Sequence, residues 1–210
     1  MQLIGMLDSP YVRRVAVSLT CMGIAFEHRA VSVFNDFALF KTLNPVVKAP
    51  SLVCDNGDVL MDSSLILEYA ESLVPPDRSL LPVDSSERQH AFRILGLALA
   101  ACEKSVQMVY ERNLRPAERQ HQPWLDRVQG QMLSAFGLLE TALQRRPVEP
   151  GAGQAGITSA VVWQFSRSVL PELLKPAEYQ ELERLSQVSE QLPTFLAFPP
   201  DGPGVTAGPP

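Results

Sequence analysis

The first third of the chain alternates between short apolar runs and stretches with helical spacing. Residues 2–7 form an apolar run of strand length, which Asp8-Ser9-Pro10 interrupts. Behind this break, apolar side chains recur at the spacing of one helix face: Val12, Val15, Ala16 and Leu19. Proline suits the first turn of a helix, because that turn makes no use of its missing N–H. The pattern therefore predicts a strand followed by a helix that begins at Pro10.

A second strand-like pattern covers residues 26–33, and a hairpin is predicted further on. Residues 51–54 and 59–61 flank Asn56-Gly57, a dipeptide that readily adopts the positive φ values of a tight hairpin turn. Asp62-Ser63 follows, and helical spacing resumes after it, so this pair lies where a helix would be capped. The predicted order is strand, helix, strand, loop, hairpin and helix, which makes a small α/β layer.

Beyond this layer the strand signals stop. The Pro-rich stretch from Pro75 to Pro82 predicts an interdomain linker. Four helical patterns follow, over residues 86–113, 116–146, 158–170 and about 176–191. The last twelve residues hold five Pro and three Gly, a composition typical of a tail that does not order. We therefore predict a first domain over residues 1–76, a linker over 77–84, an all-α domain over 85–198 and a flexible tail over 199–210.

Composition narrows the classes of function. A net charge of −5 gives no general attraction for polyanions, so nucleic acid is not expected as a partner. No apolar run reaches the roughly 18–20 residues of a membrane span, and no basic segment precedes an apolar stretch at the start. The three cysteines are widely spaced and the three histidines lack metal-ligand spacing. These features predict a cytoplasmic protein with free thiols and no metal site.

Three segments of the first domain, in this order, resemble the glutathione transferase family. They are Ser9-Pro10-Tyr11-Val12-Arg13-Arg14-Val15, Asn44-Pro45-Val46-Val47-Lys48-Ala49-Pro50-Ser51-Leu52 and Met61-Asp62-Ser63-Ser64-Leu65-Ile66. The first is similar to the segment found in the serine-type, bacterial-like members. The resemblance implies an α+β/α fold, with a thioredoxin-like N-terminal domain followed by an all-α helical C-terminal domain. Taken alone, the Ser9-Pro10 and Asp62-Ser63 pairs are ordinary helix caps, and Pro50 is an ordinary turn proline.

The resemblance also implies how glutathione would bind as a co-substrate. Ala49, which precedes a cis Pro50, would pair through its backbone with the cysteinyl part of the ligand. Asp62 and Ser63 would hold the γ-glutamyl group, with Asp62 meeting its ammonium and Ser63 its carboxylate. Lys48 matches a position that in several classes meets the glycyl carboxylate.

Ser9 matches the catalytic position of the family. A thiol with a pKa of about 8.5 is only slightly ionised at neutral pH, and a hydroxyl donor together with a helix N-terminus favours the thiolate. Ser9 would therefore donate to the glutathione sulfur rather than attack. Arg13 is a weaker candidate for added positive field, and Tyr110 a weak candidate for the wall of the electrophile pocket. Serine here disfavours glutaredoxin-like disulfide exchange, which requires a cysteine.

The resemblance therefore implies a glutathione transferase, which activates the glutathione thiolate for attack on a small hydrophobic electrophile. The resemblance further implies a homodimer with its glutathione sites near the subunit interface, and a role in detoxification. The alternative is a non-catalytic, glutathione transferase-like interaction or regulatory protein with the same fold. One departure from the family concerns the capping box of the second domain, because Val161 replaces its aspartate while Thr158 keeps the cap residue.

Overall fold

The computed structural model describes residues 1–205, which divide into two compact units. The N-terminal unit consists of Met1–Leu81 together with Pro193–Gly204. The helical unit consists of Pro82–Leu192 and Val205. The fold is the one expected, a thioredoxin-like region followed by a helical region, and this prediction is confirmed.

The N-terminal unit is built on a four-stranded mixed sheet. Its elements in chain order are β1 (Gln2–Ile4), α1 (Pro10–Cys21), β2 (Glu27–Arg29), α2 (Phe37–Leu43), β3 (Ser51–Val53), β4 (Val59–Met61) and α3 (Ser63–Ser72). The strand order is β2-β1-β3-β4, with β1 parallel to β2 and β3 antiparallel to both β1 and β4. Gly57, with φ 90°, lies in the turn between β3 and β4, where the Asn-Gly pair predicts a hairpin.

One face of α1 is buried, as its apolar spacing predicts. Val12, Val15, Ala16 and Leu19 are fully buried and belong to one cluster with Leu3, Leu52, Ile66 and Ala70. This cluster joins α1 and α3 to the central strands β1 and β3. The first turn of α1 is therefore fixed against the sheet by apolar contacts on its own helix face.

The stretch between β2 and β3 differs from the expected loop. It contains α2, a helix of seven residues in which Phe40 is the buried member. Phe40 packs with Ile4 and Val31, while Phe37 and Leu39 are exposed. A helix this short, with one buried anchor and two exposed apolar side chains, has no clear amphipathic period, which is why the pattern missed it.

The helical unit contains four main helices. They are α4 (Ser85–Leu114), α5 (Gln122–Arg145), α6 (Gly153–Val169) and α7 (Gln180–Ser189). Phe136 of α5, Trp163 of α6 and Tyr179 pack with ring centroids 5.1–6.1 Å apart. Among residues 1–205, none of the helices combines the length and apolar character required to cross a membrane.

The expected role of Thr158 as a helix cap is wrong. In the structure α6 begins at Gly153, so Thr158 lies inside the helix and is fully buried. The start of α6 instead packs closely on the preceding loop, where a Cβ on Gly156 would overlap the Glu149 carbonyl oxygen. Close backbone approach requires glycine at this position, a feature that capping-residue types do not reveal.

The segment Pro193–Gly204 belongs with the N-terminal unit. A short helix, α8 (Pro193–Leu196), buries Phe195, and Phe198 stacks on Phe26 with ring centroids 5.6 Å apart. The helical domain was expected to extend to residue 198 and a flexible tail to follow. Residues 199–205 lie in the described part of the chain, whereas residues 206–210 of that expected tail lie outside the described residues.

Candidate functional site

Ser9 caps the N-terminus of α1. Its backbone is extended (φ −75°, ψ 120°), and the Val12 N–H donates to its Oγ over 3.5 Å. Pro10 follows as the first helical residue. A hydroxyl oxygen that accepts from the backbone keeps its own proton free to donate outward. Ser9 is partly exposed, so this donor and the positive end of the helix dipole are available to a bound anion.

Gly5 brings the start of α1 close to the turn before β3. A Cβ on Gly5 would lie 2.6 Å from a Val12 methyl and 3.2 Å from the Ala49 Cβ. Its φ of 139° is also a conformation that favours glycine. The β1–α1 connection therefore passes directly beside Ala49, so that Ser9 and the turn at Ala49-Pro50 belong to one region of the molecule.

The Ala49-Pro50 peptide bond is cis, as the resemblance implies. Asn44 and Ser51 hold the turn from within, since the Asn44 Nδ2 donates to the Ser51 Oγ over 2.9 Å. The Ser51 hydroxyl in turn donates to the Lys48 carbonyl over 2.7 Å. Lys48 itself is exposed, and Ala49 is half-buried beside the start of β3. The backbone at Ala49 is thus flanked by one buried and one partly buried hydrogen bond.

Asp62 and Ser63 form the N-terminus of α3. The Asp62 carboxylate is exposed and accepts the Ser64 N–H over 2.8 Å, so Asp62 caps the helix. Its φ of 71° turns the chain sharply from β4 into α3. Ser63 is 4% exposed and occupies the first helical turn. A carboxylate, a hydroxyl and the amide groups of a helix N-terminus therefore lie together at this point.

Arg14 is a residue that the sequence analysis did not single out. It is buried on α1, and its Nη1 donates to the Ser63 Oγ over 3.1 Å and to the Ser64 Oγ over 3.3 Å. Because Ser63 accepts from a cation, its own hydroxyl proton is left to donate, which suits an anionic ligand. The sequence signal was a pair of adjacent basic residues, Arg13-Arg14, within a helix whose apolar spacing predicts a buried face; both arginines are buried in the structure.

The two weaker candidates, Arg13 and Tyr110, lie in different units of the structure. The Arg13 side chain is buried; its Nε donates to the Phe198 carbonyl over 2.8 Å, and its guanidinium lies over the Phe195 ring. Tyr110 belongs to α4 in the helical unit and is 40% exposed. Arg13 thus contacts the C-terminal segment, and Arg14 is the neighbour that reaches the start of α3.

Neither a bound metal nor an activated cysteine is supported as a second source of reactivity among the described residues. Among residues 1–205, no group of three or more His, Cys, Asp or Glu side chains is arranged to hold a metal ion. Cys21, Cys54 and Cys102 form no disulfide bond, and burial raises the pKa of both Cys21 and Cys54. Raised thiol pKa values mean less thiolate, so neither side chain is an activated nucleophile.

Sequence comparison assigns these elements to a known family. The model of the glutathione S-transferase N-terminal domain family matches residues 3–78, which include Ser9, Ala49, Pro50, Asp62 and Ser63. An uncharacterised GST-like protein of Escherichia coli, YibF, is 32% identical over 141 residues, covering 67% of this chain and 68% of that protein. The chain belongs to the glutathione S-transferase family.

Other members of the family are similar over different lengths. Glutathione S-transferase U7 of Arabidopsis thaliana is 36% identical over 90 residues, a match that spans 43% of this chain and 39% of that protein. A glutathione S-transferase from Methylobacterium radiotolerans, solved in complex with glutathione sulfonate, superposes with a TM-score of 0.88 at 28% identity. That superposition covers 98% of this chain and 97% of the other. The plant match is thus confined to part of each chain, whereas the bacterial structure matches throughout.

Proposed function

We propose that this protein is a glutathione transferase of the serine type, in which Ser9 donates a hydrogen bond to the sulfur of bound glutathione. The observation that carries the proposal is the position of the Ser9 hydroxyl at the N-terminus of α1. Glutathione-bound members of the family support it, among them the bacterial transferase in complex with glutathione sulfonate.

The proposed contacts to glutathione come from the Ala49 backbone, the N-terminus of α3 and the Lys48 side chain. Ala49 would pair through its N–H and C=O with the cysteinyl residue of glutathione, in the manner of an added edge strand. Asp62 would meet the γ-glutamyl ammonium, and Ser63 with the first amides of α3 would meet its carboxylate. The exposed Lys48 ammonium would meet the glycyl carboxylate. Each charged end of glutathione thereby has a partner of opposite charge or a donor.

Thiolate formation sets the energetic requirement of the reaction. Lowering a thiol pKa by about two units requires roughly 2.7 kcal/mol of preferential stabilisation of the thiolate. A hydrogen bond to a charged group contributes about 1.5–3 kcal/mol, and a helix N-terminus about 0.3–1 kcal/mol. The Ser9 hydroxyl and the start of α1 are together sufficient for a shift of this size. Glutathione then performs the attack on a small hydrophobic electrophile.

Replacement of Ser9 tests this role directly. Ser9→Ala should lower kcat/KM about 10- to 100-fold for conjugation of 1-chloro-2,4-dinitrobenzene and raise the apparent pKa of the bound thiol. Ser9→Thr keeps the hydroxyl and should recover most of the rate. Ser168→Ala, at an exposed position near the end of α6, is the matched control. An unchanged pH profile for Ser9→Ala would remove Ser9 from the catalytic role.

Binding of glutathione distinguishes the enzyme from its alternative. Isothermal titration calorimetry with glutathione should give saturable heat with one site per chain. Binding without catalysed conjugation of any of several electrophiles would favour the non-catalytic, regulatory alternative. Absence of both binding and turnover would contradict the glutathione site itself.

We also propose that the protein is a homodimer, and that the exposed apolar side chains along α3 form part of its subunit interface. Leu65, Tyr69 and Leu73 recur at a spacing of four residues and are 66%, 36% and 46% exposed. Apolar side chains along one exposed helix face are typical of a protein interface. Sedimentation equilibrium should therefore give twice the chain mass, and Leu65→Glu should shift the protein towards the monomer.

The compartment proposed is the cytoplasm. None of the three cysteines forms a disulfide bond, as is usual for a protein in a reducing environment. Fractionation of the source cells with an antibody against this chain should recover it with the cytosolic enzymes.

A further inference from the structure

The Ser51 hydroxyl accepts one hydrogen bond and donates another inside the turn before β3. The Ser51 Oγ accepts the Asn44 Nδ2 over 2.9 Å and donates to the Lys48 carbonyl over 2.7 Å. A serine hydroxyl carries a single proton, so the Lys48 carbonyl receives the only one available. Ser51 is 1% exposed and Asn44 is 4% exposed, which leaves these bonds little competition from water.

The Asn44 amide determines the direction of both bonds. The Val46 N–H, which can only donate, bonds to the Asn44 Oδ1 over 3.0 Å. The Nδ2 is therefore the end of the amide that faces Ser51, and it also lies 3.7 Å from the sulfur of Met61. Because an amide nitrogen donates and does not accept, the Ser51 proton is left for the Lys48 carbonyl.

The Lys48 carbonyl and the Ala49 N–H belong to the same peptide group. That peptide is trans, since the cis bond of this turn follows Ala49. In a planar trans peptide the C=O and the N–H point in opposite directions. By holding the carbonyl, the Ser51 hydroxyl therefore turns the Ala49 N–H away from Ser51. Among residues 1–205, no group accepts this N–H in a hydrogen bond, and Ala49 is half-buried.

The turn that leads to Lys48 has a backbone conformation that is unfavourable for its residue type. Val47 has a φ of 53°, which is unusual for a β-branched side chain. The Val47 N–H donates to the Asn44 carbonyl over 2.9 Å, and the Asn44 side chain bonds to Val46 and Ser51. Such backbone strain persists where the surrounding contacts over-determine it, and it is concentrated at ligand sites. The turn is therefore held in one shape before any ligand binds.

We propose that Ser51, oriented by Asn44, directs the Ala49 N–H towards the cysteinyl carbonyl of glutathione, and thereby selects peptidic thiols over thiols that lack this carbonyl. This inference rests on the proposed function, since it requires glutathione beside Ala49. A donor that is already oriented loses less freedom on binding, so its hydrogen bond contributes more to affinity. Ser51 and Asn44 are positioning residues, because they act on the ligand only through the backbone of Ala49.

Two thiols that differ in one carboxamide group separate the effect of the carbonyl. γ-Glutamylcysteinamide keeps the cysteinyl carbonyl and γ-glutamylcysteamine lacks it, while both lack glycine and carry the same net charge. With 1-chloro-2,4-dinitrobenzene, each thiolate sulfur forms the new C–S bond and chloride leaves with the electron pair of the C–Cl bond. The quantity measured is the ratio of kcat/KM values for the two thiols, divided by the same ratio for the reaction in buffer. We expect wild type to favour the cysteinamide about tenfold.

Four substitutions assign this preference to its residues. Ser51→Ala frees the Lys48 carbonyl and should reduce the preference about five- to tenfold, whereas Ser51→Thr keeps a hydroxyl and should retain most of it. Asn44→Asp keeps the acceptor for the Val46 N–H but replaces the donor that faces Ser51 with an acceptor. It should draw the Ser51 proton away from Lys48 and lower the preference in the same way. The control is Ser18→Ala, which removes a buried hydroxyl that has no hydrogen-bond partner among the described residues, and it should leave the preference unchanged.

The Ala49 amide provides an independent measurement by NMR. In wild type, saturation with glutathione should shift the Ala49 amide proton downfield and slow its exchange with solvent. At equal saturation, both changes should be smaller in Ser51→Ala. The KM for glutathione should rise about tenfold in this variant with little change in kcat, since the contact is made equally in the ground state and the transition state.

The outcomes separate this inference from the function on which it rests. An equal preference between the two thiols in wild type and Ser51→Ala would overturn the inference and leave the transferase proposal intact. A loss of stability or rate in Ser51→Ala that is the same for both thiols would mean that Ser51 only holds the turn, which also overturns the inference. Failure of the wild-type protein to bind glutathione would instead overturn the proposed function.

Discussion

The Gly204 N–H and the Asp8 carboxylate are joined by a hydrogen bond of 2.7 Å, although 196 positions separate them in the chain. Asp8 also donates through its own N–H to the Asp201 carbonyl. These two bonds hold the last described residues of the chain against the connection between β1 and α1. The position of Asp8, next to Ser9, is therefore set by the C-terminal segment as well as by the connection from β1.

Gly202→Ala should release this segment. The added Cβ overlaps the Asp8 carboxylate, so either the segment or the side chain must move. We expect faster hydrogen exchange at the Asp8 amide, whose acceptor is the Asp201 carbonyl, measured by NMR or mass spectrometry. Gly96→Ala is the control, since a Cβ there meets nothing within 4 Å. Unchanged protection at Asp8 would show that the segment adapts to the methyl group.

Two Asp62 variants should distinguish the effect of its charge on glutathione binding from the effect of its helix cap on stability. Asp62→Asn retains a good capping side chain and a residue type that accepts positive φ, but loses the negative charge. We expect about tenfold weaker glutathione binding by calorimetry with little change in thermal stability. Asp62→Ala should weaken binding similarly and also destabilise the protein by about 0.5–2 kcal/mol. Equal glutathione affinity in wild type and Asp62→Asn would exclude a contact with the ligand ammonium.

Arg14 is expected to support both the fold and the glutathione site. Arg14→Met leaves the buried Ser63 hydroxyl without its cationic donor, and should lower the free energy of unfolding by about 1–3 kcal/mol. Arg14→Lys keeps the charge without the planar fork, and should restore stability in part. The dissociation constant for glutathione should rise in the same order, with Arg78→Met as an exposed control. A loss of stability with unchanged affinity would restrict Arg14 to the fold.

Glu183 makes the helical unit sensitive to acid. Burial by itself would raise its pKa, but hydrogen bonds from Trp163, Arg167 and Gln187 outweigh this and lower it below the ordinary 4.5. For an acid with a lowered folded pKa, the stabilisation is present above 4.5 and is lost as the pH falls through the folded value. Chemical denaturation of the wild type should therefore show stability falling as the pH drops below 4.5.

The matched variants for this titration lie on one helix. Glu183→Gln should flatten the acid side of the stability profile, since no carboxylate remains at this position to be protonated. Glu181→Gln removes a surface pair with Arg184 and should have little effect, because exposed ion pairs contribute about 0–1 kcal/mol. Parallel acid profiles for wild type and Glu183→Gln would contradict the prediction.

Local features of this protein were predictable because they depend on neighbours in sequence. Pro10 begins α1, the Asn56-Gly57 pair turns the hairpin, and Asp62 caps α3, each through short-range backbone geometry. The helix α2 was missed since a single buried residue, Phe40, anchors it to strands far away in the chain. Thr158 was misread because α6 begins earlier, at Gly153, where the cap residue Ala152 makes no side-chain hydrogen bond.

The sequence by itself determined the family, the order of strands and helices in the first domain apart from α2, and the positions of Ser9, Pro50 and Asp62. These depend on residue types at fixed short separations, which act through local conformation. The tertiary structure decided which of two adjacent arginines reaches Ser63, and that the C-terminal segment contacts Asp8. Such contacts join residues far apart in the chain, so they are set by the packing of the whole unit and leave no local pattern to read.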